Sequence, residues 1–392
     1  MTAGALFRRL GRSTARLART RYPAFLFGGA LPRDEIPVFT YHDVEPDVLH
    51  GDLEFLRRNG YRTVGIDEFR DRSARGVPNR DRCVMLTFDD ARGSFHTVAW
   101  PVLREREAHA VLFVPSYWIG GGRGAPAGED AGADAARADA AAKPGFMTWE
   151  QLAECEASEW VDVESHGHCH ALVPVSSRLA GFASPAALEH YDLFDWPMRR
   201  ERGVDVPGRP PPGTPVYESA PLLSAEVRVI EPAAAAEACR RLVEREGGAA
   251  AFFRRPDAEG ALRASHDAAV AAGGGAEPMP PAEVRRGIED ELRRAAERFE
   301  AELGRPPRHF AYPWMLGGER SLDVLAELGV ETAFGVALDF RRARRTRRHR
   351  PRIYGRFKCD WLRFLPGQGR RSLQHVLPAK AAGFLKTQHL AH

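Results

Sequence analysis

Cysteine is scarce in this 392-residue sequence, and no two cysteines are spaced as a Cys-x-x-Cys pair. The five are Cys83, Cys155, Cys169, Cys239 and Cys359. An odd number without paired spacing predicts no disulfide framework. We therefore expect the chain to fold in a reducing compartment.

The sequence also lacks an apolar run long enough to span a bilayer. Near the N-terminus the apolar piece Ala24–Phe27 is too short for a secretory signal, and the arginines of residues 1–30 are spread along the segment. We therefore expect no signal peptide, and a location either in the cytoplasm or at a membrane surface.

A large excess of one charge sign is missing as well. The chain has 56 basic and 53 acidic residues and a net charge of +3, so its overall charge indicates no particular partner. The strongly basic run at residues 341–352 is either solvated or a contact for a polyanionic glycan. No nucleic-acid module accompanies it, so we expect no nucleic acid partner.

Residues 1–33 are basic and have the period of an amphipathic helix. Three leucines fall on one side and four arginines on the other: Leu6, Leu10, Leu17, Arg8, Arg12, Arg16 and Arg19. The segment is either a peripheral contact for a membrane surface or a solvated, partly disordered leader.

One apolar run ends abruptly in two adjacent carboxylates, Asp89 and Asp90. Residues 83–88 predict a buried strand, and α/β folds bind ligands at the carboxyl ends of their strands. Adjacent carboxylates repel each other unless a cation or a shared proton relieves them, so one is suited to hold a metal and the other to act as a base. The alternative is that the pair caps the next helix.

A histidine cluster follows a second predicted strand. Ser165-His166-Gly167-His168-Cys169-His170 comes directly after Trp160-Val161-Asp162-Val163-Glu164, and His166 and His170 are spaced to share one side of a helical turn or tight loop. Such a cluster is either solvated surface or a metal site. Together with Asp90 it supplies two histidines and one carboxylate, which leaves coordination positions for water and substrate. Zinc is the expected ion, and other divalent metals suit the same donors.

Three motifs follow one another along the chain: Thr87-Phe88-Asp89-Asp90, Ser165-His166-Gly167-His168-Cys169-His170 and Phe310-Ala311-Tyr312-Pro313-Trp314. They resemble the first three motifs of the polysaccharide deacetylase family, also called carbohydrate esterase family four. Residues 36–44 and 53–61 are similar to the branch of that family that deacetylates bacterial exopolysaccharides. The resemblance covers about residues 36–120, 146–175 and 281–357.

The resemblance implies a role for each matching position. Asp89 is expected to be the general base, and Asp90, His166 and His170 are expected to hold the metal. Trp314 stands where the family offers a backbone N–H to the oxyanion. His42 is the expected general acid, by resemblance to the exopolysaccharide branch.

The sequence departs from the family pattern at several positions. Ala91 and Met315 stand where glycine is common, and Ala311 stands where an arginine often tunes the base. No late Leu-x-His motif lies on a clear strand. Cys169 is either a fourth metal ligand, a nucleophile, or a side chain that points away.

Strands and helices alternate from residue 36 onward, which favours a parallel β/α architecture. The resemblance sharpens this to an α/β fold with a distorted, incomplete (β/α) barrel and long insertions. We expect the barrel domain at residues 34–365, a flexible loop at 120–145, a large insertion at about 171–280 and a tail of unknown structure at 366–392.

The insertion contains aromatic residues among prolines, notably Tyr191, Phe194 and Trp196. It is either a lid that stacks on sugar rings or an ordinary insertion that packs outside the barrel.

The expected function is metal-dependent removal of N-acetyl, or alternatively O-acetyl, groups from a polysaccharide or oligosaccharide. A catalytically silent glycan-binding protein that keeps the fold is the alternative of another class. A metal-dependent hydrolase of another amide or ester would share the site and differ in the pocket.

Overall fold

The computed structural model describes residues 23–31, 33–121, 145–201, 203–336 and 350–372. Most of the N-terminal basic segment, most of the loop predicted at 120–145, the greater part of the basic run at 341–352 and residues 373–392 of the predicted tail lie outside the described residues. The helices of the described part of the chain do not combine the length and apolar character that a bilayer crossing demands.

The described chain contains fourteen strands in chain order. They are β1 (Val38–Tyr41), β2 (Arg62–Thr63), β3 (Cys83–Asp89), β4 (Ala110–Val114), β5 (Val161–Ser165), β6 (Leu172–Phe182), β7 (Arg199–Glu201), β8 (Val204–Val206), β9 (Pro215–Pro221), β10 (Val229–Ile230), β11 (Glu277–Pro278), β12 (His309–Ala311), β13 (Thr332–Val336) and β14 (Arg352–Lys358).

The α-helices connect these strands or follow them. They are α1 (Pro46–Arg58), α2 (Ile66–Arg75), α3 (Trp100–Glu105), α4 (Trp149–Glu156), α5 (Pro185–His190), α6 (Ala233–Arg245), α7 (Ala249–Phe252), α8 (Ala258–Gly273), α9 (Pro281–Leu303) and α10 (Glu319–Glu327).

The chain separates into two units. The barrel unit contains residues 23–168, 294–311 and 328–372 of the described chain, and the insertion unit contains residues 169–293 and 312–327. The domain boundaries expected from the sequence stay a prediction.

Seven parallel strands of the barrel unit form a closed ring in the order β1-β14-β13-β12-β5-β4-β3, and β3 pairs back to β1. The short strand β2 adds to β3 at Cys83 and Val84. The expected (β/α) barrel is confirmed. Its weakest seam is β5 against β12, where one residue pair, Phe310 with Ser165, is in register.

Alternation along each strand divides the barrel unit into an interior and an outer layer. On β3, Cys83 and Met85 belong to the interior cluster, whereas Val84, Leu86 and Phe88 pack with the surrounding helices. Because successive side chains point to opposite faces, Asp89 continues the interior row at the end of the strand. The wholly buried β3 and β4 have the continuous apolar pattern of strands covered on both faces.

The insertion unit is built around an antiparallel pair. Strand β6 pairs with β9 and is irregular between Pro174 and Leu179 and again before Gly181. A separate core lies among its helices, formed by Cys239, Val243, Phe252, Ala258 and Leu262.

Candidate active site and metal centre

Asp89 is a buried carboxylate with an arginine beside it. Arg356 Nη1 on β14 donates to Asp89 Oδ1 at 2.6 Å, and both residues are 3% exposed. Burial opposes ionisation of Asp89, but Arg356 together with His166 and His42 holds the pKa of this carboxyl well below its ordinary value. Asp89 is therefore ionised over the ordinary pH range.

Arg356 itself is held by neighbouring interior side chains. Its Nη1 lies 3.4 Å from both Thr40 Oγ1 and Thr87 Oγ1, and its guanidinium carbon lies 5.5 Å from the centre of the Phe113 ring. The arginine is thus fixed by three different strands, and its position determines where the charge partner of Asp89 stands.

His166 is presented in the form that binds metals. Its Nδ1 lies 2.7 Å from the carbonyl oxygen of Ala311, and since a carbonyl only accepts, Nδ1 carries the proton. Nε2 then has its lone pair toward the carboxylates, 3.7 Å from Asp89 Oδ2 and from Asp90 Oδ1. Burial lowers the pKa of His166 to about 4, which favours the neutral imidazole.

The chain turns sharply after Asp89. Asp90 and Ala91 both have left-handed backbone conformations, with φ of 71° and 48°. This is the conformation that glycine adopts most easily, which explains why a glycine suits the position of Ala91. The turn directs the Asp90 side chain to the histidine cluster.

Asp90, His166 and His170 each offer a ligand atom, and these atoms all lie within 4.8 Å of one another. All three side chains are buried. Two imidazoles and one carboxylate fit a divalent metal such as zinc, and the tautomer of His166 agrees with that use. In sequence, His170 is the second residue of the insertion unit, which begins at Cys169.

The His170 ring is packed between two aromatic rings of the insertion unit. Phe194 stacks on it with ring centres 4.1 Å apart, and Trp314 lies 4.2 Å away at a tilt of 53°. Trp314, the last residue of the third motif, and Met315 after it have left-handed backbone conformations, with φ of 49° and 58°. The expected oxyanion role of Trp314 stays a prediction.

His42 directly follows β1, and its Nε2 lies 3.9 Å from Asp89 Oδ2. Its side chain is half exposed, so it can exchange a proton with solvent. The pKa of His42 is lowered by partial burial and by Arg356, against the opposing effect of Asp89. The expected role as general acid stays a prediction.

Two other residues of the histidine motif, His168 and Cys169, contact different side chains. His168 Nδ1 lies 2.8 Å from Ser116 Oγ, and the backbone N–H of Cys169 donates to Glu291 Oε1 at 2.8 Å. Within the described residues, the potential metal group does not include Cys169.

Sequence reasoning missed Arg356. The sequence predicts a last strand only over Arg352-Ile353-Tyr354, so Arg356 falls just beyond its expected end, and its only signal is an arginine next to a segment with the pattern of a strand. Position 311 is an alanine, and the arginine that contacts Asp89 comes from strand β14 instead.

Comparison with known proteins agrees with these motifs. Residues 76–186 match the family model described as polysaccharide deacetylase, which includes the first two motifs. Residues 76–186 therefore belong to a polysaccharide deacetylase domain. The chain is 30% identical over 133 residues to the poly-beta-1,6-N-acetyl-D-glucosamine N-deacetylases of Escherichia coli strains K12 and O157:H7. The match covers 34% of this chain and 19% of each relative, so the matched part spans about a fifth of those proteins.

Several solved structures are also similar. The BpsB deacetylase domain of Bordetella bronchiseptica has a TM-score of 0.47 and 17% identity, with 82% of this chain and 95% of that chain covered. A de-N-acetylase of Aggregatibacter actinomycetemcomitans has a TM-score of 0.49 and 14% identity, with coverages of 88% and 98%. IcaB of Ammonifex degensii has a TM-score of 0.43 and 18% identity, with coverages of 85% and 99%.

Proposed function

We propose that this polysaccharide deacetylase family member is a metal-dependent hydrolase that removes N-acetyl groups from a polysaccharide or oligosaccharide. The observation that carries the proposal is the buried, ionised Asp89, held by Arg356 beside a cluster of two histidines and one carboxylate. A base and a metal-binding set in one place are what amide hydrolysis by water requires.

Asp90, His166 and His170 would hold the metal, with zinc as our proposal. When bound, a divalent metal lowers the pKa of a coordinated water and polarises the acetyl carbonyl. The Nδ1–H of His166, fixed on the Ala311 carbonyl, keeps the other ring nitrogen in the ligating orientation.

The proton transfers are assigned to Asp89 and His42. Asp89 takes a proton from the attacking water, and its ionised state keeps it available for this step. His42, half exposed and 3.9 Å from Asp89, supplies a proton to the leaving amine as the C–N bond breaks. The acetyl group leaves as acetate, and the sugar retains an amine. The backbone N–H of Trp314 is proposed to stabilise the oxyanion.

An N-acetylated glycan is the proposed substrate because the curated relatives are named as deacetylases of poly-beta-1,6-N-acetyl-D-glucosamine. Contact of the basic N-terminal segment with a membrane surface, and a cytoplasmic or membrane-surface location, are further proposals that rest on the sequence of residues 1–33 alone.

The test is acetate release from N- and O-acetylated oligosaccharides, with and without a chelator. Asp89→Asn removes the base but keeps the shape of the side chain, and Asp71→Asn, a half-exposed carboxylate of α2, is the matched control. We expect release by the unaltered protein and the control, loss on chelation, and a loss of about 100-fold or more in Asp89→Asn.

The same experiment separates the alternatives. A metal-loaded protein that binds the oligosaccharides but releases no acetate would be a silent glycan-binding protein. Release from O-acetylated sugars alone would make the enzyme an esterase. Release that survives both chelation and Asp89→Asn would contradict the proposed mechanism.

A further inference from the structure

Strands β1 and β3 end side by side, and each is followed or completed by one of the two groups to which proton transfer is assigned. Tyr41 and Phe88 are register partners in this parallel pair. His42 comes directly after Tyr41 and Asp89 directly after Phe88, with His42 Nε2 3.9 Å from Asp89 Oδ2. The separation of the proposed acid and base therefore depends on how the ends of these two strands meet.

In the outer layer of the barrel unit, the two strand ends are joined by stacked rings. The Tyr41 and Phe88 rings have centres 4.9 Å apart and planes at 18°, and Phe95 meets Phe88 edge to face at 5.0 Å. Tyr41 is 3% exposed, and Phe88 is fully buried. Close-packed rings cannot slide past each other without opening a gap, so the stack fixes the two strand ends relative to each other.

The Tyr41 hydroxyl is anchored as well. It donates to Oδ2 of the buried Asp52 on α1 at 2.9 Å, and Arg363 Nε donates to Oδ1 of the same carboxylate at 2.6 Å. Burial raises the pKa of Tyr41 well above its usual value, so the phenol keeps the proton that it donates. Arg363 belongs to the 3-10 segment Cys359–Phe364, which directly follows β14. The network thus joins β1 to α1 and to the end of β14, the strand that carries Arg356.

We propose that Tyr41 is a positioning residue, which holds His42 at the distance from Asp89 that proton transfer requires. It acts from the outer layer of the barrel unit, through the strand end that it fixes. A displacement of about 1 Å between reacting groups can lower a rate about 100-fold, so a small movement of the strand end is enough to matter. The inference rests on the proposed function, because it takes His42 as the acid and Asp89 as the base.

A matched control exists in the same layer. Tyr61 is 6% exposed, belongs to the same hydrophobic cluster as Tyr41, and its hydroxyl donates to the carbonyl oxygen of Pro366 at 2.9 Å. It directly precedes β2, which pairs with β3 at the Cys83 end, opposite to the end that carries Asp89. Tyr61→Phe and Tyr61→Leu therefore measure what the loss of a buried hydroxyl or ring does away from the proposed acid and base.

The first experiment measures kcat and KM for acetate release from an N-acetylglucosamine hexasaccharide. We expect kcat to fall about 3- to 10-fold in Tyr41→Phe, which loses the anchor, and about 100-fold in Tyr41→Leu, which also loses the stack. KM should stay within about 2-fold in both, and kcat of the two Tyr61 variants should stay within about 2-fold of the unaltered protein. Denaturant unfolding checks that each variant is folded.

The second experiment needs no turnover. Asp89→Asn removes the carboxylate that favours protonated His42 from 3.9 Å away, so it should lower the pKa of His42, measured by NMR, by about one pH unit. In the Tyr41→Leu background, where the two groups are no longer held together, we expect this response to be about half as large or smaller. In the Tyr61→Leu background the response should be unchanged.

Two kinetic results would overturn the inference: an unchanged kcat in Tyr41→Leu, or an equal loss of kcat in Tyr61→Leu. If the unaltered protein releases no acetate, the proposed function fails, and the response of the His42 pKa to Asp89→Asn decides the inference alone. An equal response in the Tyr41→Leu and Tyr61→Leu backgrounds refutes positioning whatever the turnover. Where Tyr41→Leu does not fold, Tyr41→Phe takes its place in both experiments.

Discussion

Asp89 and Arg356 form a charge pair inside the end of a barrel, where each would be destabilising without the other. Removing one partner leaves an uncompensated buried charge, which costs about 3–5 kcal/mol. The pair also sets the protonation state of the proposed base. Arg356 is therefore a positioning residue whose effect should be visible in the pH dependence of the reaction.

We expect Arg356→Gln to raise the pKa of Asp89, because the cation that favours the carboxylate is removed. A base with a raised pKa is protonated at higher pH, so the acidic limb of kcat/KM should move upward by about one to three pH units. The measurement is the pH profile of acetate release.

Two further variants serve as controls for this prediction. Arg356→Lys retains the charge and should fold if the glutamine variant does not. Arg352→Gln, an exposed arginine at the start of the same strand, should leave the profile unchanged. An acidic limb that stays in place in a folded Arg356→Gln would show that Arg356 does not tune Asp89.

Ala91 occupies a left-handed position in a fully buried turn. Glycine adopts this conformation without strain. The free energy of unfolding of Ala91→Gly should therefore be higher than that of the unaltered protein, or lower by no more than about 1 kcal/mol. Ala91→Val should cost about 2 kcal/mol or more, because a β-branched residue at positive φ is strained. Denaturant unfolding measures both, and Ala110→Val on strand β4 is the control in extended backbone. Equal losses in the two valine variants would contradict the backbone explanation.

At this scale the sequence predicted the residues of the candidate site better than the side chains that contact them. Adjacent carboxylates and histidines at strand ends are local patterns, so Asp89, Asp90, His166 and His170 could be selected. Arg356 meets Asp89 across a sequence separation of 267 residues, and no local pattern records such a contact. The rings of Phe194 and Trp314 on His170 are non-local in the same way.

The pairing of β12 with β13 includes a buried histidine. His309 and Thr332 are register partners, and His309 Nδ1 lies 2.7 Å from Thr332 Oγ1. Burial lowers the pKa of His309 to about 4, which Glu331 and Asp67 oppose and Arg308 and Arg70 reinforce. The folded barrel unit therefore holds His309 neutral.

We expect His309 to destabilise the fold as the pH falls from 6.5 toward 4. In that window the unfolded chain binds a proton that the folded chain does not, so the free energy of unfolding decreases by up to about 1.4 kcal/mol per pH unit. His309→Gln should reduce this slope relative to the unaltered protein, as measured by denaturant unfolding at several pH values. Exposed His190→Gln is the control, and parallel slopes in all three proteins would contradict the assignment.

Strands were predicted well where apolar runs are uninterrupted. The apolar runs Ala110–Val114 and Thr332–Val336 each predict a strand, and the structure has a strand over the same residues. Strand β14 continues to Lys358, beyond the expected end, because the barrel interior accommodates Arg356. The β6–β9 pair was missed because Pro174, Gly181 and Pro215 are typical of turns, and the irregular pairing accommodates them.

At the scale of the whole molecule, binding of the expected metal should stabilise the folded state. A ligand that binds only the folded state stabilises it by about 2.7 kcal/mol at 100 times its Kd. We therefore expect zinc to raise the Tm by a few degrees and a chelator to reverse the change, as measured by calorimetry. Asp90→Asn should lose the response, whereas Cys169→Ser should keep it because Cys169 lies outside the donor set. A response that survives Asp90→Asn would place the metal elsewhere.

The weak seam between β5 and β12 has a consequence for how the chain can lengthen. All residues from His166 to Arg308 connect these two strands. The entropy of closing a loop grows with the logarithm of its length, at about 0.6 kcal/mol per doubling. Growth from a crossover of about 12 residues to this one is between three and four doublings, or about 2 kcal/mol. The separate core around Cys239 and Phe252 can offset so small a term, so this connection can vary greatly among related chains while the ring of strands stays the same.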